Sequence, residues 1–109
     1  MPQATFVQEG CSIDYTPGAD IAAGDVVVQG DLVGVAKLEI KSGKLGSLAV
    51  DGVFDFAKNT GVAYTVGTFL FWDDTANVVT TTATGNKMIG KVVRAAATTD
   101  TTVRVRMSQ

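Results

Sequence analysis

The chain holds few side chains able to do chemistry in concert, and the most tempting group is Gly85-Asn86-Lys87-Met88-Ile89-Gly90-Lys91-Val92. It nearly spells a phosphate-binding loop, but that loop needs a Ser or Thr hydroxyl after its lysine to ligate magnesium, and here Val92 follows. The loop must also open a helix whose N-terminus faces the phosphates, whereas Lys91-Val92-Val93-Arg94 reads as strand. Leu70-Phe71-Trp72-Asp73-Asp74 looks like an apolar strand ending in a magnesium-binding aspartate, yet it precedes the loop instead of following it. Asp73, Asp74 and Asn77 offer too few oxygens for calcium, which takes roughly six to eight, and they are ordinary turn residues. Asp51 and Asp55, four apart, set two carboxylates on one strand face as a glycosidase pair would require. Aromatics to stack a sugar are few (Phe 5, Tyr 2, Trp 1). Cys11 has no basic neighbour in the sequence to activate it and reads as a small buried or half-buried residue.

Composition removes further classes of chemistry. With no histidine and one cysteine there is no zinc-ligand set, no internal disulfide, and no Ser-His-Asp or Cys-His catalysis. A net charge of -2 and a pI near 4.8 argue against bulk nucleic-acid binding. No apolar run approaches the ~18 residues of a membrane span. The Met-Pro-Gln-Ala start lacks the basic-then-apolar layout of a signal peptide. The expectation is a non-enzymatic chain with no cofactor, no metal, no nucleic acid and no membrane among its partners. At 109 residues it forms one domain able to bury roughly 65% of its unfolded surface.

The elements that position these residues are strands. Val 16, Thr 14 and Ile 4 make nearly a third of the chain β-branched, and such stiff side chains suit a pleated surface. Twelve glycines punctuate short apolar segments, the pattern of short strands joined by turns. Strands are expected near 6–8, 12–15, 26–29, 32–38, 48–56, 68–72, 77–82, 88–95 and 102–107. The last alternates Val103, Val105 and Met107 with Thr102, Arg104 and Arg106, giving one buried and one wet face. Gly52 within 48–56 reads as a bulge, and Gln29-Gly30-Asp31 and Asp73–Asn77 read as hairpin turns. The fold class is all-β: a small closed or partly open β-barrel of short antiparallel strands, β-clip-like arrangements included, with no long helix. Residues 1–10 form an N-terminal arm or first strand, and residues 11–109 a single barrel domain.

Charge and apolar surface are uneven. Residues 1–31 carry Glu9, Asp14, Asp20, Asp25 and Asp31 and no cation, while residues 87–109 carry five cations against Asp100. Either the first and last strands lie side by side and neutralise each other, or the acidic end of one subunit meets the basic end of the next. Arg104 and Arg106 share one strand face and suit carboxylates. Phe69 and Phe71 share one face of their strand, Leu70 and Trp72 the other. Both faces being apolar points to a barrel interior on one side and a partner on the other. Trp72, Arg104 and Arg106 are therefore the candidates for an interface between subunits.

Several segments, in order, carry a resemblance: Phe6-Val7-Gln8-Glu9-Gly10, Ile21–Val27, Gly34-Val35-Ala36, Val50-Asp51-Gly52-Val53-Phe54-Asp55-Phe56-Ala57-Lys58, Val66–Asp74, Thr80–Asn86 and Ile89–Val92. Together they resemble a family of small tailed-phage head proteins, the capsid cement or decoration proteins, some of whose members have been labelled recombinase-like. Ala57 stands where such proteins commonly carry proline. The resemblance implies a structural virion protein of a bacteriophage or prophage, made in the host cytoplasm and located on the capsid surface. It would bind the major capsid protein of the expanded head as a homotrimer and bridge neighbouring subunits. Ala4-Thr5-Phe6-Val7-Gln8 is short, β-prone and uncharged, so Thr5, Phe6, Val7 and Gln8 are the candidates for capsid contact by strand addition; the same residues would also suit a strand of the domain's own sheet. The alternative function is a small ligand- or carbohydrate-binding β-barrel module, with a concave apolar pocket.

Overall fold

A computed structural model describes residues 3–6 and 10–109, and among these there is no helix. Nine strands run in the order β1 (Ser12–Tyr15), β2 (Val26–Gln29), β3 (Leu32–Val35), β4 (Gly46–Ala49), β5 (Gly52–Ala57), β6 (Phe69–Asp73), β7 (Val78–Thr80), β8 (Lys87–Arg94) and β9 (Thr102–Met107). They form two antiparallel sheets, β1-β4-β3-β2 and β5-β9-β8-β6-β7. The expected strand at 6–8 falls partly outside the described residues, and Phe6 itself is in no strand.

The strand expected across 48–56 is two strands in different sheets. Asp51 Oδ1 accepts the Gly52 amide at 2.8 Å and Gly52 takes φ 125°, a backbone conformation open chiefly to glycine. The chain turns there from β4 into the second sheet, so Gly52 marks a crossing and not a bulge within one strand. The true bulges lie on β8. Its register slips against β6 between Leu70 and Phe71, and against β9 between Val92 and Arg94. Ile89 and Val93 are thus extra residues that bend this eight-residue strand. Both expected hairpins are present. Gln29 pairs with Leu32 across Gly30-Asp31, with Gly30 at φ 60°, as a two-residue turn that follows strand twist requires. Asp73 Oδ1 accepts the amides of Thr75 and Ala76 and starts the turn into β7.

Bending of β8 curls the second sheet until its edge strands β5 and β7 approach within 8 Å, though they do not pair. The barrel is partly open, not closed. Its inside is filled by the inward set that alternation provides: Phe56, Leu70, Trp72, Val79, Ile89, Val92, Val103, Val105 and Met107. Phe56 and Trp72 rings lie 5.9 Å apart, within the range of favourable aromatic pairs. Val33 and Val35 of β3 join this core, with Val26 and Val28 half-buried beside them, so the first sheet caps the second. The first sheet is apolar on its other face too, where Leu48, Ala36 and Ile40 pack with Ile13, Tyr15, Ile21 and Val27.

Two polar devices secure the fold, the first between the sheets and the second within the later half of the chain. Gln109 spans to β3, where Oε1 accepts the Val33 amide and Nε2 donates to the Val33 carbonyl, both at 2.7 Å. Pairing in the β2–β3 hairpin turns these Val33 groups away from β2, and β4 reaches β3 only at Val35, so the Gln109 amide replaces a missing strand. Lys58, buried, donates Nζ to the carbonyls of Ala97 and Asp100 at 3.2 and 2.8 Å, fixing the loop before β9. The whole is elongated, 50 × 33 × 23 Å with a radius of gyration of 14.9 Å, against about 13 Å for a compact chain of this length.

Candidate functional site

The residues first suspected of chemistry are spent on structure. The near-loop at 85–92 is largely β8, with Lys87 in an ion pair to Asp31 at 2.6 Å that holds the Asp31 carboxyl below its usual range. Asp73 caps its own turn, and Asp74 Oδ1 accepts the Trp72 indole N–H at 3.1 Å. Asp51 is bound to the next amide, while Asp55 belongs to Arg104, so these two acids do not work as a pair. Cys11 is exposed, contrary to the sequence expectation, because it lies in the turn preceding β1. Among the described residues no three His, Cys, Asp or Glu side chains gather to hold a metal. The barrel interior is packed with side chains.

What remains is surface. The outer face of the second sheet carries a row set by register: Val53 opposite Arg106, Arg106 opposite Lys91, Lys91 opposite Phe69. All four are exposed, Phe69 by 45%. Lys91 Nζ sits 5.3 Å above the Phe69 ring, and Phe69 stacks on half-buried Phe71 at 6.3 Å. Val66, Val93 and Arg106 complete an open groove of about 420 Å³ around Phe69. Neither Lys91 nor Arg106 has an ion-pair partner among the described residues. The face is at once apolar and positively charged.

The three residues expected between subunits divide. Trp72 is 4% exposed and sits in the core; alternation turns Leu70 and Trp72 inward, so Phe69 and Phe71 hold the outward positions on that strand. Arg104 is exposed but bound to Asp55 through Nε and Nη2 at 3.0 and 3.2 Å. This hydrogen-bonded pair lowers the Asp55 pKa and raises that of Arg104. Of the three, Arg106 stands outward with no ion-pair partner among the described residues. β1 and β9 lie in different sheets, so they do not neutralise each other; among the described residues only Lys87–Asp31 joins the acidic and basic stretches.

The arm candidates lie apart from this face in the chain. Thr5 and Phe6 are exposed, Phe6 by 78%, and outside any strand; Val7 and Gln8 fall outside the described residues. A second apolar surface, not foreseen, flanks β4: Leu38 and Leu45 are 78% and 71% exposed beside a groove of about 490 Å³ that Asp14 and Glu39 also line. Both leucines sit in loops: β3 ends at Val35, short of the strand expected across 32–38, and Leu45 precedes β4.

Residues 7–107 match the model of a family described as phage cement protein. No curated protein and no solved structure matches the chain.

Proposed function

Because this chain belongs to the phage cement protein family and so has a structural place on a phage capsid, we propose that it stabilises the shell by bridging neighbouring subunits of the major capsid protein. It does so as a homotrimer seated on the outer surface of the expanded head, in a phage or prophage whose host makes it in the cytoplasm. The mechanism is adhesion: each copy adds buried area where internal pressure would separate subunits, and many equivalent sites sum weak contacts. A trimer raises the effective concentration of each arm once another is engaged.

The observation that carries this reading is the exposed, uncharged segment Ala4-Thr5-Phe6, with Phe6 standing clear of the domain's core. Such a segment suits strand addition to an edge of the shell protein. Deleting residues 1–8 is expected to leave the circular dichroism spectrum and oligomer mass unchanged while abolishing co-sedimentation with expanded heads. Retained co-sedimentation would remove the arm from the mechanism; loss of folding would assign it to the domain's own sheet.

A further inference from the structure

We propose that copies of this chain associate head to tail, the basic apolar face around Phe69 of one copy seating on the Leu38–Leu45 groove of the next. This deepens the adhesive reading above, and rests on it only for the purpose of the assembly; the contact itself needs no shell.

Two separate surfaces on one chain carry the inference. The first is the outer row of the second sheet, where Phe69, Val66 and Val93 are exposed beside Lys91 and Arg106, cations without ion-pair partners among the described residues. The second is the groove edged by Leu38 and Leu45, with Asp14, also without an ion-pair partner among the described residues, on its wall. Glu39 lines it too, shared with Lys41 at 3.4 Å, and Lys37 lies on the same rim.

The two surfaces lie on stretches of opposite net charge. Residues 10–51 hold Asp14, Asp20, Asp25, Asp31, Glu39 and Asp51 against Lys37, Lys41 and Lys44, a net of −3. Residues 52–109 hold Asp55, Asp73, Asp74 and Asp100 against Lys58, Lys87, Lys91, Arg94, Arg104 and Arg106, a net of +2. Face against face would oppose like charges, and groove against groove would leave Lys91 and Arg106 uncovered. Face against groove pairs cations with Asp14 and apolar with apolar, giving the exposed leucines a cover. Such a heterologous contact repeats around a ring when the rotation closes, and a three-membered ring is the simplest assembly that also sets three arms on one side.

The test uses two full-length variants altered only at exposed positions: a face variant, Phe69→Ser with Arg106→Glu, and a groove variant, Leu38→Ser with Leu45→Ser. Sedimentation velocity is expected to show an oligomer for the unaltered protein and monomers for each variant alone, with self-affinity lowered about tenfold or more. An equimolar mixture of the two is expected to give a dimer and nothing larger, since one intact face meets one intact groove and both outer ends are blocked. Circular dichroism checks that each variant is folded. A monomeric unaltered protein, an oligomer undiminished in either variant, or a mixture that stays monomeric would overturn the proposal. Capsid co-sedimentation of the unaltered protein is scored separately, so loss of shell binding and loss of self-association are distinguishable.

Discussion

Gly90 is the position where a single residue type decides whether the barrel can coil. It takes φ 154°, and a Cβ there would lie 2.0 Å from the Arg106 carbonyl oxygen, backbone against backbone. Neither atom can swing aside as a side chain end could, so Gly90→Ala is expected to cost roughly 3 kcal/mol and to lower Tm by on the order of 10–20 °C by calorimetry. An unchanged Tm would mean that β8 and β9 do not approach as closely as described. Arg104–Asp55 makes a gentler case. The Asp55 pKa is lower folded than unfolded, chiefly through its hydrogen bond to Arg104. Its contribution is therefore present above the unfolded carboxylate pKa, near ~4, and fades as pH falls through the lower folded value. Both side chains are over two-fifths exposed, so solvent screening keeps the contribution of the pair small. Stability measured by denaturant from pH 6 to 2 is expected to fall slightly less steeply in Asp55→Asn than in the unaltered protein. Equal slopes would show that the pair contributes nothing. At this scale the sequence was readable for residues inside regular alternation, such as Val103, Val105 and Met107. It misled for Trp72, because two apolar strand faces look alike until one knows which faces inward. It was silent on Gln109, whose amide finds Val33 only once β9 lies beside the first sheet.

Among the elements, hairpins were legible because their turns carry local chemistry: Gly30-Asp31 and the Asp73 cap need nothing from the rest of the chain. The division of 48–56 between two sheets was not, since Leu48 through Phe56 is continuous in composition and only the Asp51–Gly52 turn separates its halves. The coiling of β8 was equally hidden. An extra residue at Ile89 or Val93 has meaning only against the partners opposite, Leu70 and Phe71 on β6 and Arg104 and Val105 on β9. The P-loop-like spelling at 85–92 arises from the same place: its second glycine is Gly90, required by coiling against Arg106, and Lys91 follows as an outward strand residue over Phe69. A phosphate loop and a coiled β-strand both need close backbone approach at glycine, so the two can be confused in one dimension.

As a whole, the molecule is an elongated pair of sheets that encloses a filled core and leaves its apolar excess outside. That arrangement suits a protein whose work is contact. A ligand-binding barrel would hollow its interior, whereas here Phe56, Leu70, Trp72 and Ile89 occupy it. Family membership over residues 7–107 places the chain among capsid structural proteins, and bridging of the shell is the claim on which the rest depends. It is tested most directly by mixing the purified protein with empty heads before and after expansion and measuring bound protein and the pressure or temperature at which the heads rupture. Saturable binding to expanded heads alone, with a raised rupture threshold, is the expected result. Binding that leaves the threshold unmoved, or none to either form, would contradict it.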